Sequence, residues 1–399
     1  MIKDKLKILC LSFRTPPAVR PQAILIGKMI PEWIKQGVSP VIITYESGGK
    51  WDINAPVYTI PQFNISRLCG KILPARYYLR RKYYKKTLNY LKDIANKHKA
   101  DMIFSFANPQ ESNIIGAMLG KKLNIPFVSY FSDPFYDNFY QHFSMFGKKR
   151  ALLQEYKIIK QSNKVIFCNR QAKKLVLKKY PVSWREKGAV IPHCYDPKDY
   201  PDVSQSDSDK FVISYIGVFY PQRDPEILFQ ALQKAFQKSP ELLKKCLINL
   251  VGAVNNYAGY SEEKINQMAG KYGLTDIIKI IPPVSYRESL RYMKESDCLV
   301  VVDADIPDSP FLPSKVIDYA GSGSLILGIT PEESPTRDFL NNLGYKAFNY
   351  SQVDELSDYL KKLISGEIKV NINQDFLKQY DVSATTAKLI NIFREVLDK

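Results

Sequence analysis

Short apolar runs alternate with helical patterns along the whole chain. In the first half the runs are LKILCLSF (6–13), VIITY (41–45), MIFSF (102–106), FVSYF (127–131), VIFCN (165–169) and AVIP (189–192). Between the first two lies a helix opened by Pro21 and closed by Gly37. Further helices are expected near 110–123 and 170–179. The second half repeats the rhythm with FVISYIG (211–217), CLINLVG (246–252), IIKII (277–281), CLVVVDA (298–304) and LILGIT (325–330). Helices are expected over 224–238, near 261–272, over 286–295 and from 314. Near the end, AKLINIFREVL (387–397) sets Leu389, Ile390, Phe393, Val396 and Leu397 on one helical face.

Buried strands joined by helical crossovers of this length imply parallel sheets covered on both faces. With right-handed crossovers, each half becomes a doubly wound α/β domain. The segment PKDYPDVSQSDSDK (197–210) is polar and poor in apolar groups, and it marks the expected linker. The expected division is therefore a Rossmann-like domain over 1–200 and a second over 201–375. Two such domains would face a central cleft, with ligands at the strands' carboxyl ends.

Charge separates the halves more sharply than composition does. Residues 1–200 hold 35 Lys and Arg against 13 Asp and Glu, and the remainder holds 22 against 27. The stretch 67–99 has eleven basic residues against one Asp, interleaved with tyrosines. Arg76, Arg80, Arg81, Lys82, Lys85 and Lys86 form its centre. An anionic surface is the natural partner of such a stretch, and Tyr beside Arg and Lys suits a membrane interface. A solvated helix face and a nucleic-acid surface are the alternatives. No run approaches the ~18–20 apolar residues of a membrane-spanning helix. The N-terminal run is too brief for a signal peptide and lacks a cleavage site. The six cysteines, at 10, 69, 168, 194, 246 and 298, show no paired spacing and read as reduced core thiols of a cytoplasmic protein. Histidines 98, 142 and 193 offer no zinc-ligand spacing beyond the adjacent His193-Cys194.

Two turns carry candidate chemistry. In FLPSKVIDYAGSGSLIL (311–327), Pro313 ends a loop, and Ser314 and Lys315 open a helix. Exposed N–H groups and the helix dipole favour an anion there, and Lys315 adds a full charge. Ser314 serves either as a donor to that anion or simply as an N-cap. Asp318 lies one turn on, on the same face, placed to accept ribose hydroxyls. Gly321 and Gly323 permit close packing and exit to the next strand. In YIGVFYPQRDPEILFQAL (215–232), Gly217 allows close backbone approach, Arg223 precedes the helix, and Asp224 and Pro225 open it. Arg223 and Lys315 would clamp a pyrophosphate from two sides, unless Arg223 is merely a surface residue. GxGxxG is absent. VDADIPD (302–308) mimics a metal-binding Asp-x-Asp, but the two cations and a helix dipole would serve instead of a metal.

Together these segments resemble the GT-B glycosyltransferases, specifically glycosyltransferase family 4. PSKVIDYAGSGSLIL looks like the family's donor site, and YIGVFYPQRDPEILFQAL is the second match. VIPHCYDPKDY (190–200) resembles the segment before the domain crossing, and PPAVRPQAILIGKMIPEWIKQG is similar to the first loop and helix. The resemblance implies that Ser309, Pro310, Leu312, Pro313 and Ser314 line the donor site with Gly217 and Asp318. It also implies that Arg223, Lys315 and Asp133 are catalytic. It places Pro17 and Arg20 in the first loop and Ser132 at the family's usual His, followed by Asp133 as a contact to acceptor or donor sugar. The family's paired glutamates fall at Pro310 and Asp318, so the first carboxylate is lost. His193 stands as a loop residue rather than a base. The last helix, 376–399, would pack back on the N-terminal domain.

The function implied is transfer of a sugar from a nucleotide diphosphate, UDP, with retention of configuration and without metal or other cofactor. The acceptor expected is a lipid-linked or polysaccharide chain in cell-envelope synthesis. The enzyme would sit in the cytoplasm, docked on the anionic inner face of the plasma membrane through 67–99. Two rivals are a nucleotide-sugar epimerase of the same architecture and a nucleic-acid-binding protein. No recognised nucleic-acid module supports the latter.

Overall fold

The structure, a computed structural model, describes residues 5–45, 50–64, 73–141, 143–203 and 209–398, with the backbone alone at 73–76. Cys69, His142, the Arg76 side chain and part of the expected linker lie outside the described residues. The chain divides into two compact units, Met1–His193 with Val382–Lys399, and Cys194–Asp381.

The first unit holds a seven-stranded parallel sheet in the order β3-β2-β1-β4-β5-β6-β7. The strands are β1 Leu6–Ser12, β2 Val38–Tyr45, β3 Val57–Ile60, β4 Met102–Phe106, β5 Phe127–Phe131, β6 Lys164–Phe167 and β7 Gly188–Val190. Their central members are continuous apolar runs because helices cover both faces; every residue of β4 and β5 is buried. Chain order reverses direction between β1 and β4, so right-handed crossovers put helices Leu73–His98, Glu111–Leu123 and Met145–Gln161 on one face. Helix Pro21–Lys35 covers the other, with Pro21 at its first position and Gly37, at φ 88°, just beyond its end, as the sequence pattern predicts. The final helix, Val382–Leu397, joins it there: Phe393 sits edge-on to Trp33 and Phe104, with centroids 5.4 and 5.3 Å away.

The second unit holds a six-stranded parallel sheet in the order β10-β9-β8-β11-β12-β13. Its strands are β8 Phe211–Ile216, β9 Cys246–Val251, β10 Ile278–Ile281, β11 Cys298–Val302, β12 Leu325–Ile329 and β13 Lys346–Phe348. Helices Glu226–Lys238 and Val353–Ile364 pack on one face around Leu228, Leu232, Leu356 and Leu360. Helices Tyr286–Glu295, Ser314–Ser322 and Pro335–Leu343 pack on the other around Leu290, Val316 and Leu340. The direction reversal lies between β8 and β11, where a doubly wound sheet opens its ligand crevice.

Part of the expected linker is built into the second unit. Tyr195, just before it, pairs with Asp381 as an isolated bridge, and within it the Tyr200 hydroxyl donates to the Asp318 carbonyl at 2.7 Å. A Cβ on Gly321 would come within 2.6 Å of the Tyr195 ring, so this segment packs where only glycine leaves room. The five described cysteines are buried and form no disulfide among the described residues. Burial pushes the Cys246 thiol up to about 12 and those of Cys10, Cys168 and Cys298 higher still.

Candidate functional site

The site is built at the carboxyl ends of β8 and β11. Directly after β8, Gly217 takes φ +126°, a conformation that residues with side chains avoid. A Cβ there would stand 3.2 Å from Lys315 Nζ. Bare backbone therefore meets the lysine at this turn. Ser314 is the first residue of helix Ser314–Ser322, and Pro313 takes the cap position without a side-chain cap. Ser314 is thus not the N-cap. The helix start keeps N–H groups without a side-chain acceptor, the arrangement that favours an anion.

Lys315 bends back along β8. Its Nζ donates to the Ile216 carbonyl at 3.1 Å and lies 3.9 Å from the centre of the Tyr215 ring. Tyr319, one turn along, braces the same strand: its hydroxyl accepts from the Ile216 N–H at 2.9 Å. Burial pushes the Lys315 pKa down to about 7; the nearby Arg223 guanidinium adds to the shift, and Asp303 opposes it.

Arg223 stands before helix Glu226–Lys238, where Asp224 caps the Glu226 N–H at 2.8 Å. The Arg223 guanidinium lies 3.6 Å from Asp303 Oδ1. Its side chain is 17% exposed and that of Asp303 wholly buried, so Arg223 is not a solvated surface residue. Asp303, just beyond β11, is further held by the Ala304 N–H on Oδ1 at 2.9 Å and the Thr336 hydroxyl on Oδ2 at 2.7 Å. Burial pushes the Asp303 pKa up, and Arg223 is the main group opposing the rise. The acid that the sequence offered as part of a metal-like cluster therefore anchors Arg223.

The rest of the donor set divides by role. Asp318 is buried and accepts from the Tyr286 hydroxyl at 3.2 Å. Burial and this carboxylate drive the Tyr286 phenol far above its ordinary range. Ser309, Pro310 and Leu312 are buried, and Leu312 packs in the core of the second unit, so these residues shape the loop from within. Pro313 and Ser314 remain partly exposed. A hollow of about 600 Å³ beyond this loop is lined by Asp305, Asp308, Glu332 and Glu333 and repels phosphate. The cationic side of the loop is the Lys315 side.

In the first unit, Asp133 follows β5 and accepts from Asn108 Nδ2 at 2.7 Å. Asn108 follows β4 with φ 68°, so two adjacent strand ends meet in this pair. The Ser132 carbonyl accepts from the Cys168 thiol at 3.0 Å. Pro17 and Arg20 are exposed before helix Pro21–Lys35. His193 is buried, and burial with Lys28 nearby pushes its pKa down to about 4, which keeps it neutral. On helix Leu73–His98, Arg81, Lys82, Lys85 and Lys86 are exposed. Arg80 instead folds back over the Phe63 ring at 5.2 Å and the Tyr84 ring at 6.0 Å.

Sequence reasoning missed Thr336, Tyr286, Tyr215 and Tyr200, and it considered Asp303 only as part of a metal-like cluster. Strand order brings these residues to the site, and no local signal marks them. Chemically, a lysine, an arginine and an open helix start around a glycine turn can hold a pyrophosphate and stabilise it as it departs.

Residues 23–199 match the model for Glycosyltransferase Family 4. Among curated proteins, the D-inositol 3-phosphate glycosyltransferase of Geodermatophilus obscurus is 24% identical over 93 residues, 23% of this chain and 21% of that protein. The chain thus spans about a fifth of that relative's length. Among solved structures, Anabaena HepE in complex with UDP and glucose superposes with a TM-score of 0.69 at 15% identity, covering 98% of this chain and 100% of that one. The lipopolysaccharide outer core galactosyltransferase WaaB superposes with a TM-score of 0.64 at 14% identity, covering 98% and 99%. The resemblance read from the motifs holds, and the fold is that of the GT-B glycosyltransferases.

Proposed function

We propose that the chain is a glycosyltransferase that takes a sugar from a UDP-linked donor and passes it to a membrane-associated saccharide or lipid-linked acceptor in cell-envelope polysaccharide assembly. One observation carries this reading: Lys315 and Arg223, the latter 3.6 Å from the buried Asp303, lie close enough to shift one another's charge beside the Gly217 turn and an uncapped helix start. A buried acid holding Arg223 in place pre-organises a cation for the leaving diphosphate, so little reorganisation is needed when the glycosidic bond breaks. Lys315 would take the second phosphate, and Asp318, oriented by Tyr286, the ribose. Asp133 would contact the acceptor or the donor sugar. Retention of configuration follows the family resemblance. These cations take the place of a metal. The UDP complex of HepE supports the donor class. WaaB and the basic helix Leu73–His98 support an acceptor at a membrane and peripheral docking on its cytoplasmic face.

The test is calorimetric titration of the protein with UDP, ADP and GDP, followed by a turnover screen of UDP-sugars. UDP should bind most tightly, and Lys315→Ala and Arg223→Ala should each weaken it by roughly tenfold or more, the scale of a charge-assisted hydrogen bond. Unchanged UDP affinity in both variants would remove the donor-site assignment.

A further inference from the structure

Three helices on one face of the first unit enclose a groove of about 1220 Å³. Helix Glu111–Leu123 forms its floor, with Ile114, Ala117 and Met118 facing up and Ile158 closing one side. Helices Leu73–His98 and Met145–Gln161 form its walls. The rim is cationic: Arg81 and Lys85 come from the first wall, Lys121 from the floor helix, and Arg150, Lys157 and Lys160 from the second wall. All six are exposed, and no Asp or Glu among the described residues lines the groove.

An apolar floor beneath a rim of one sign needs an occupant with both characters. A nucleic-acid strand satisfies the rim and leaves the floor wet; an apolar peptide does the reverse. From this complementarity we propose that the groove takes one chain of an anionic membrane phospholipid, with the phosphate held by the rim. This deepens, and rests on, the membrane-docking part of the function proposed above.

Two further observations agree. Each of the three helices is a crossover between parallel strands, so their amino-terminal turns lie at one edge of the sheet. Near that edge the first wall helix carries Tyr77 and the second Met145 and Phe146, 72%, 79% and 81% exposed, large apolar side chains of the kind that enter lipid. The wall from Arg150 to Gln161 also runs about 17 Å at ~1.5 Å per residue. That matches one leaflet of a hydrocarbon core about 30 Å thick.

The test uses the full chain and three probes: vesicles of phosphatidylcholine with and without 30% phosphatidylglycerol, dihexanoyl-phosphatidylglycerol as a dispersed monomer, and a short DNA duplex. The wild type should bind only the anionic vesicles and the anionic monomer. Removing two rim charges, Lys121→Gln with Lys157→Gln, should weaken vesicle binding about 25-fold, roughly fivefold per cation. Met118→Glu should weaken binding of the short lipid at least tenfold more than Tyr90→Glu, which adds the same charge to helix Leu73–His98 outside the groove. Met118→Leu should restore it, and UDP affinity should stay unchanged throughout as the check on folding. Equal effects of Met118→Glu and Tyr90→Glu would overturn the groove while leaving membrane docking intact. No vesicle binding, or none lost with the rim charges, would overturn both. Binding of the duplex in preference to vesicles would also overturn both.

Discussion

Donor binding should take up a proton, and Lys315 should supply the site for it. In the free protein its pKa is pushed down from 10.5 to about 7, first by burial and then by Arg223. At neutral pH about half the molecules therefore carry an uncharged lysine. A diphosphate at the Gly217 turn replaces the lost solvation with two negative charges and draws the pKa back up. Binding then favours the protonated form, and affinity falls as pH rises above about 7. If the bound pKa returns to 10 or above, affinity at pH 9 should be roughly eighty- to ninety-fold below that at pH 6, since one unit corresponds to ~1.36 kcal/mol. The sign is the reverse for folding without ligand. The depressed pKa is then a penalty, full below about 7 and relieved as pH rises toward 10.5, because the unfolded chain holds the extra proton across that window.

Isothermal titration in buffers of different ionisation enthalpy reads this directly. The ligand should be UDP-glucose, whose phosphates are both esterified and do not titrate in the range. Proton uptake should be about one half at pH 7 and approach one near pH 8.5. Lys315→Arg, which stays charged throughout, should show little uptake and a flat profile. A wild-type affinity that does not change between pH 6 and 9, or a slope that persists in Lys315→Arg, would refute the assignment of this lysine to the diphosphate.

Three further outcomes follow from the same cluster. Thr336→Val removes a hydrogen bond to the buried Asp303 carboxylate and should cost about 1–3 kcal/mol of stability, read as a lower urea midpoint at constant slope. Gly217→Ala forces a side chain into φ +126° and toward the Lys315 ammonium, so it should weaken UDP binding more than it lowers the melting temperature. Tyr286→Phe leaves the Asp318 carboxylate without that hydroxyl and should weaken UDP while leaving a ribose-free pyrophosphate unaffected, which competition binding would show.

The order of strands and helices could be read from the sequence wherever a run was buried on both faces. FVSYF at 127–131 coincides with β5 to the residue, because a central parallel strand is apolar throughout. The edges were harder. VYTI in β3 and KAF in β13 are short and only partly buried, so they lack a continuous apolar signature. Helix Met145–Gln161 was missed because its polar face, now a groove wall, interrupts the periodicity.

The site divides on the same principle. Gly217, Arg223 and Lys315 sit at helix starts and glycine turns, and local chemistry makes such places visible. Asp303 and Thr336 do not: one ends a strand like any other, and the other is a hydroxyl in a helix's first turn. Their role arises only because β8, β11 and β12 are neighbours in a sheet whose chain order skips from the first to the fourth strand. That adjacency sets a buried acid between an arginine from one strand end and a hydroxyl from another, with a lysine nearby. A lone lysine at a helix start would be solvated and charged, and would bind phosphate without discrimination. Here burial and the Arg223–Asp303 pair leave Lys315 close to its titration point, so a dianion bound beside it should change its charge. The proton-coupled affinity predicted above would therefore come from the strand order and not from the Pro-Ser-Lys motif. Transplanting the motif onto a helix without a buried acid beside it should keep the anion binding and lose the pH dependence.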